Sequence, residues 1–273
     1  MTDFFRREWM IKDCSKFGWL FILSLCLLAG PVLGQTAQDF IKSGDEFYNQ
    51  WDDQKALDEY LKALQLEPQN YEALWKTSRS YTDLADVITG QGKEADARKF
   101  DLYAKGETYA RRAKAVNPND TWGHFFLSAS LGKKILLQGK KEQIDASKTV
   151  RAEIDRAIEL DPNNDLAYHA LGRWHRRMAE IGGAKRALGS LIYGSIPKGS
   201  FEESEKWLKK ALELRPDYIN HHLELGRTYA DMKREALAIE EFNQCLALPE
   251  SCSKDKTLKE EARTELEKLN KKG

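Results

Sequence analysis

One set of small, aromatic and proline residues recurs along most of this sequence, and it constrains the fold more than any other feature. The first set consists of Gly44, Phe47, Ala56, Tyr60, Ala63 and Pro68. Small residues allow two helices to approach closely, and the aromatic rings fill the space between them. A proline ends the second helix because its ring cannot continue a helix interior. Each set therefore predicts a helix-turn-helix hairpin.

Prolines close the successive sets at Pro68, Pro118, Pro162, Pro216 and Pro249. The last two are 33 residues apart, which is close to the period of about 34 residues of a tetratricopeptide repeat. The earlier intervals are 50, 44 and 54 residues, and we assign the surplus to longer hairpins around residues 91–94 and 138–142 and to an extra short helix within residues 181–200. The residues predicted to cap the following helices are Asn70, Asp120, Asn164 and Asp217.

These sets predict an all-α fold, a tetratricopeptide-type superhelix of about five helical hairpins with a C-terminal capping helix. Each hairpin leaves an apolar face that only a neighbouring hairpin can cover, so the hairpins must stack. The domain is expected to span residues 35–273. Its repeats are placed at about residues 37–70, 71–120, 121–164, 165–218 and 219–251, and the capping helix at residues 256–271.

Residues 1–34 have a different character from the rest of the chain. Four basic residues precede an uncharged, mostly apolar run at residues 17–33. This pattern is typical of a secretory signal peptide, and a retained N-terminal membrane anchor is the alternative. On either interpretation the domain is predicted to be exported, as a periplasmic or secreted protein. Contact with a membrane is then expected only through this segment, if it is not cleaved.

Charge and spacing argue against several classes of function. The 273 residues include 43 basic and 43 acidic side chains, so there is no basic excess of the kind that indicates nucleic-acid binding. None of the five histidines lies three or four residues from another, the spacing that places two ligands on one helix face. We therefore predict no metal, no cofactor, no catalytic residues and no enzymatic activity.

Two cysteines, Cys245 and Cys252, lie within the predicted domain. In an oxidising compartment they could form a disulfide. Alternatively, Cys245 is a small buried residue of a helix.

The concave surface of such a superhelix is formed chiefly by the first helix of each hairpin. Aromatic and arginine residues alternate at the positions expected to face it. These predicted groove residues are Trp75, Arg79, Trp122, Phe125, His169, Arg173, Arg176, Arg177 and Arg227, with Tyr48 and Lys133 at further concave positions. Arginine can bind a carboxylate with two parallel hydrogen bonds, and aromatic rings can cover apolar side chains. The alternative is that the arginines pair with glutamates of the chain, such as Glu180.

Three short runs resemble the regulator of microtubule dynamics family. They are residues 169–174 (His-Ala-Leu-Gly-Arg-Trp), 192–197 (Ile-Tyr-Gly-Ser-Ile-Pro) and 201–204 (Phe-Glu-Glu-Ser), and the similarity extends over about residues 122–269. The resemblance implies an all-helical, tetratricopeptide-like and non-enzymatic domain that acts through protein contacts. Eukaryotic members are associated with microtubules or organelles. The N-terminal segment leads us to interpret this chain as an exported bacterial relative.

The leading hypothesis is a scaffold that binds a protein or peptide in the concave groove. The partner would be acidic or would carry a free C-terminal carboxylate, since the groove residues include several arginines. The first alternative is a structural or assembly component that self-associates or is anchored at the membrane. A weaker alternative is a small ligand bound beside the insertion at residues 181–200.

Overall fold

The computed structural model describes residues 34–90 and 92–271. The signal or anchor predicted at residues 1–34 thus lies outside the described residues, except for Gly34. None of the helices in the described ranges combines the length and the hydropathy needed to cross a membrane.

Within these ranges the chain forms twelve α-helices and no strand. The helices are α1 (Ala37–Asn49), α2 (Asp53–Leu66), α3 (Tyr71–Asp86), α4 (Lys93–Val116), α5 (Thr121–Ile135), α6 (Lys140–Leu160), α7 (Asp165–Ala179), α8 (Gly183–Tyr193), α9 (Phe201–Leu214), α10 (Ile219–Asp231), α11 (Glu235–Ala247) and α12 (Asp255–Asn270). The predicted all-α tetratricopeptide class is confirmed.

Five antiparallel pairs account for ten of these helices: α1 with α2, α3 with α4, α5 with α6, α7 with α9, and α10 with α11. Surplus residues in the second and third pairs lengthen α4 and α6 to 24 and 21 residues. In the fourth pair they form α8, which lies between α7 and α9 in the chain. Helix α12 packs on the last pair.

In three of the helix pairs a polar side chain caps the N-terminus of the first helix, as the sequence predicts. Asn70, Asp120 and Asn164 each accept a hydrogen bond from a backbone N–H in the first turn of α3, α5 and α7. The prediction for Asp217 is wrong. Helix α10 begins after Tyr218, which has no capping side chain.

Glycines allow the close helix contacts within the pairs. A Cβ atom on Gly44 would lie 2.4 Å from the Tyr60 ring, and one on Gly226 would lie 2.6 Å from the Phe242 ring. Both distances are far below a van der Waals contact, so the aromatic side chain of the second helix occupies the space that only glycine leaves free.

The segment Thr36–Gly273 forms a compact unit, and its core clusters come from its own helices. One cluster contains residues of α1, α2, α3 and α4, and a second extends from α3 to α7. A third contains residues of α5, α6, α7 and α9, and the fourth extends from α9 to α12. Since each cluster is shared between neighbouring pairs, the unit carries the packing that it needs to fold by itself.

The linker between α11 and α12 lies against the first two helix pairs. Ser253 donates a hydrogen bond from its hydroxyl to Asp53 at the start of α2, and Lys254 Nζ lies 2.7 Å from Asp83 Oδ1 on α3. The last part of the domain therefore contacts the first part.

Candidate functional site

A cavity of about 670 Å³ lies among the helix pairs. Its walls come mainly from α5 and α7, with α6, α3, the end of α1, the α9–α10 connection, the start of α10 and the α11–α12 linker completing them. Its volume is within the range of protein pockets that hold small molecules or peptide side chains.

One part of the cavity wall is apolar. The side chains that form it include Phe125, Phe126, Ile135, Val150, Ile154, Trp174 and Met178. Phe125 and Phe126 contact each other edge to face, with ring centroids 4.9 Å apart. Trp174 is fixed by a 3.0 Å hydrogen bond from its Nε1 to the Ser147 carbonyl. This wall can cover the apolar portion of a ligand.

Cationic side chains dominate the charged part of the wall. Six of them line the cavity, against two carboxylates. The six cations are Arg79, Lys133, Arg173, Arg177, Arg215 and Lys254, and the two carboxylates are Asp83 and Glu180. A lining of this charge favours an anionic ligand.

All but one of the cations have a carboxylate partner. The pairs are Lys133 with Asp86, Lys254 with Asp83, Arg173 with Glu224, Arg177 with Glu180, and Arg215 with Asp165. Arg79 has no carboxylate within 4.0 Å among residues 34–90 and 92–271.

Arg79 is held by neutral groups. Its guanidinium carbon lies 3.5 Å from the centroid of the Tyr48 ring, and its Nη2 donates a 3.1 Å hydrogen bond to Tyr60 Oη. Its Nε is buried and has no hydrogen-bond partner within the described part of the chain. The side chain is thus oriented, while no carboxylate of the described residues forms a direct ion pair with it.

The ammonium of Lys254 lies close to several acidic groups. Burial disfavours the charged ammonium, but Asp83 and Tyr218 hold the pKa of Lys254 well above its ordinary value. Burial also opposes the charge on Asp86, but Lys133 and Lys254 keep the pKa of this carboxyl below its ordinary value. Lys254 and Asp86 are therefore both ionised at neutral pH, and the linker is held to α3 by charge.

Five of the predicted groove residues line this cavity: Arg79, Phe125, His169, Arg173 and Arg177. Arg177 and Arg173 also engage glutamates, which was the alternative considered from the sequence.

The other four predicted groove residues lie elsewhere. Trp75 and Trp122 stack on each other, with ring centroids 5.3 Å apart, and belong to the packing between neighbouring pairs. Arg176 and Arg227 bind Glu224, at 3.1 and 2.9 Å, and do not line the cavity. These four residues do not line the cavity, and their assignment to a peptide groove stays a prediction.

Glu224 is the centre of a buried charge cluster on α10. Its side chain is 2% exposed, and Arg173, at 3.4 Å, is its third arginine partner. Burial opposes the charge on Glu224, but Arg173 and Arg176 hold the pKa of this carboxyl well below its ordinary value. This cluster joins α7 to α10.

His169 forms a buried contact with a second histidine behind the cavity wall. Its Nδ1 lies 3.0 Å from His221 Nδ1, and His221 Nε2 lies 2.9 Å from Asp165 Oδ2. Burial and the neighbouring His221 hold the pKa of His169 well below its ordinary value. His169 is therefore neutral at neutral pH.

No three histidine, cysteine or carboxylate side chains in the described part of the chain are grouped as a metal site requires.

Cys245 and Cys252 are both free thiols, so the disulfide considered from the sequence is not formed in this structure. Cys245 is fully buried in the cluster of α10, α11 and α12. Cys252 lines the cavity, and its thiol donates to Asp255 Oδ1 at 3.3 Å. Burial raises the pKa of each thiol to about 11.

Sequence reasoning missed Lys254, Asp83 and Tyr218 as parts of the site. Asp83 is on the first helix of its pair, so its helix face could have indicated it. Lys254 and Tyr218 lie in connections outside the repeat pattern, and no local signal places them at the cavity.

This chain is similar in sequence, and in structure, to known proteins. The family model described as regulator of microtubule dynamics protein 1-3 matches residues 40–270. Regulator of microtubule dynamics protein 1 of Bos taurus is 24% identical over 226 residues, which cover 82% of this chain and 69% of the relative. The Mus musculus protein of the same name is 23% identical over 262 residues, covering 94% and 83%.

Among solved structures, the thermophilic TPR protein TTC0263 of Thermus thermophilus superposes with a TM-score of 0.60 at 18% identity. The match covers 85% of this chain and 99% of that protein, and it supports the tetratricopeptide fold. The family model covers most of the domain described above. The chain therefore belongs to the regulator of microtubule dynamics family.

Proposed function

We propose that this protein is a non-enzymatic scaffold that binds an extended segment of a partner protein in the cavity of its helix pairs. The segment would carry a carboxylate, from an acidic side chain or a free C-terminus, next to Arg79. The observation that carries this proposal is that Arg79 is oriented within the cavity wall and lacks an acidic partner within the described residues.

The position of Arg79 suits a ligand carboxylate for two reasons. Its stacking on Tyr48 fixes the plane of the guanidinium before a ligand arrives, so little side-chain entropy is lost on binding. A carboxylate would also add a charged hydrogen bond to the guanidinium group, and hydrogen bonds between charged groups are stronger than neutral ones.

The remaining cations are less available to a ligand. Lys254 and Lys133 already bind Asp83 and Asp86, so a ligand would have to compete with these carboxylates. The two lysines and two carboxylates together carry no net charge, so Arg79 is the cation that we expect to bind the carboxylate. The apolar wall around Phe125 and Trp174 would cover the apolar side chains that follow the carboxylate.

The test is a binding measurement with peptides that differ only in the carboxylate. A peptide library is screened against the purified protein with free and with amidated C-termini, and the peptides bound are titrated by fluorescence anisotropy. Loss of a hydrogen-bonded charge pair costs about 1.5–3 kcal/mol. Arg79→Gln is therefore expected to weaken binding by roughly ten- to a hundredfold. Amidation of the peptide should have no further effect in this variant.

Arg112→Gln provides a matched control. Arg112 also stacks on a tyrosine, Tyr109, and donates to a neutral acceptor, the Pro68 carbonyl, but it does not line the cavity. This variant should bind as the wild type does. Equal binding of free and amidated peptides that is also insensitive to Arg79→Gln would contradict the proposal.

A further inference from the structure

Helix α8 has its apolar side on the outside of the protein. Residues 184, 187, 188, 191 and 192 follow the spacing of one helix face, and the large side chains among them are exposed. These are Leu188, Leu191 and Ile192, which are 64%, 84% and 66% exposed. No residue of α8 is buried. Apolar groups that cluster on a surface in this way mark a contact site.

The inner face of α8 is small or polar, and it is held to the domain. Arg186 donates from Nη2 to the Met178 carbonyl at 2.6 Å and from Nη1 to the Pro197 carbonyl. A Cβ atom on Gly189 would lie 2.8 Å from Ile196, which is buried. These contacts fix which side of α8 faces the domain, so the opposite, apolar face is held toward the outside.

The charge of this segment indicates what the face contacts. Residues 181–200 contain Lys185, Arg186 and Lys198 and no carboxylate. Lys185 lies within α8, and Lys198 follows the helix in the connection to α9. Exposed aliphatic side chains accompanied by cations are the pattern of a helix that lies in the interface of an anionic membrane.

A second copy of the chain fits this face less well. With 11 residues, α8 is about 16 Å long and 10 Å wide, whereas a stable dimer buries about 800 Å² on each partner. A bilayer requires only that a few side chains enter the boundary between headgroups and acyl chains.

We propose that α8 is a membrane-docking helix that inserts Leu188, Leu191 and Ile192 into the surface of a bilayer containing anionic lipid. Lys185 and Lys198 would lie at the level of the phosphate groups. The contact is separate from the cavity and does not depend on the function proposed for it.

The test is flotation of the Thr36–Gly273 unit with lipid vesicles, since this unit contains its own core. The vesicles are pure phosphatidylcholine, or phosphatidylcholine with about 30 mol% phosphatidylserine. We expect binding to the anionic vesicles. The triple variant L188S/L191S/I192S should reduce the partition coefficient by at least about tenfold. K185Q/K198Q should reduce binding to anionic vesicles toward the level for the neutral ones.

The matched control is L66S/V116S/L237S, which removes three large side chains that are 54%, 41% and 40% exposed on other helices. It should bind as the wild type does, and circular dichroism should give the same helix content for all variants. The proposal is overturned if the wild type does not float, or if the control loses binding as the α8 variant does. It is also overturned if sedimentation velocity finds a dimer that L188S/L191S/I192S abolishes.

Discussion

Lys254 and Asp83 are 171 residues apart in the sequence, yet Lys254 Nζ lies 2.7 Å from Asp83 Oδ1. The same ammonium is 3.9 Å from Asp86 Oδ2. Both carboxylates are on α3, in the second helix pair, whereas Lys254 immediately precedes the last helix. The pair therefore connects two parts of the domain that are far apart in the chain and forms one side of the cavity.

Removing the lysine should destabilise the domain measurably. Lys254 and Asp83 are 18% and 7% exposed, so Lys254→Met leaves Asp83 without its ammonium partner and with little access to water. Loss of one partner of a buried pair costs about 3–5 kcal/mol, and the partial exposure of Lys254 lowers our expectation to about 2 kcal/mol in the free energy of unfolding. Urea denaturation at neutral pH measures this change.

Lys209→Met is the control for this prediction. Lys209 binds Glu205 within α9, and its side chain is 53% exposed, so the expected loss is less than about 1 kcal/mol. Equal, small losses in the two variants would mean that the contact between the linker and α3 does not stabilise the domain.

Glu224 should be the most sensitive carboxylate of the described domain. It is 2% exposed and is shared by Arg173, Arg176 and Arg227. In Glu224→Gln the three guanidinium groups lose their common counter-charge in a site with little water. We expect a loss of about 3 kcal/mol or more in the free energy of unfolding, measured by urea denaturation.

Glu260→Gln tests whether the loss depends on burial. Glu260 also pairs with an arginine, Arg263, but its side chain is 63% exposed. This change should cost no more than about 0.5 kcal/mol. A loss below about 1 kcal/mol for Glu224→Gln would show that the arginines find other partners.

Two glycines in equivalent helices should respond to alanine in opposite directions. A Cβ atom on Gly172 in α7 would lie 2.6 Å from Leu208 Cγ and 3.2 Å from the Ser204 carbonyl oxygen. Gly172→Ala should therefore cost about 1–3 kcal/mol through overpacking. On Gly132 in α5 the nearest atom, on Val150, would be 3.6 Å away. Gly132→Ala should stabilise by up to about 1 kcal/mol, because alanine is the better helix former.

Thermal and urea unfolding of the two alanine variants check this contrast. If both glycines tolerate alanine equally, the close approach of α7 to α9 is not as tight as the structure describes.

The sequence predicts the helix pairs because their determinants are local. Gly172 and Pro216 lie in or next to the helices that they shape, and Asn164 caps the helix that follows it. The cap predicted at Asp217 fails by one residue. Here the fully buried Ile219 and the 9% exposed Tyr218 place the start of α10 by packing instead of by a polar side chain.

The site depends on contacts that no local pattern contains. Repeat positions place Arg176 and Arg227 on the expected helices, but both side chains bind Glu224 and neither lines the cavity. Lys254 enters the site through a linker that follows the last repeat, and its partner on α3 is in the second. Side-chain pairing across distant repeats is therefore what sequence analysis could not supply.

Buried histidines should make the stability of the domain depend on pH. Burial, with help from Arg151, lowers the pKa of His175, and burial lowers the pKa of His221 despite Asp165. The pKa of His169 is held well below the ordinary value of 6.5, again chiefly because of burial. In each case the unfolded chain binds a proton more readily than the folded one. The contribution of these three histidines to the free energy of unfolding is fully present above about pH 6.5 and is lost as the pH falls below that value.

His222 should act in the opposite direction. Burial alone would lower its pKa, but hydrogen bonds to Glu241 and to the Pro216 carbonyl raise it above 6.5. Its contribution is present below the unfolded pKa and is lost as the pH rises through the folded one. Three histidines have a lowered pKa and only His222 among those discussed has a raised one. The free energy of unfolding should therefore rise between about pH 5.5 and pH 7.5.

Substituting one histidine of each kind separates the two effects. His169→Gln should reduce the rise in unfolding free energy between about pH 5.5 and pH 7.5, because it removes a group that the folded state keeps neutral. His222→Gln should increase the rise, because the opposing group is removed. Each histidine can contribute at most about 1.4 kcal/mol per pH unit, which urea denaturation at a series of pH values can measure. If both variants change the slope in the same direction, the protonation states assigned to these two side chains are wrong.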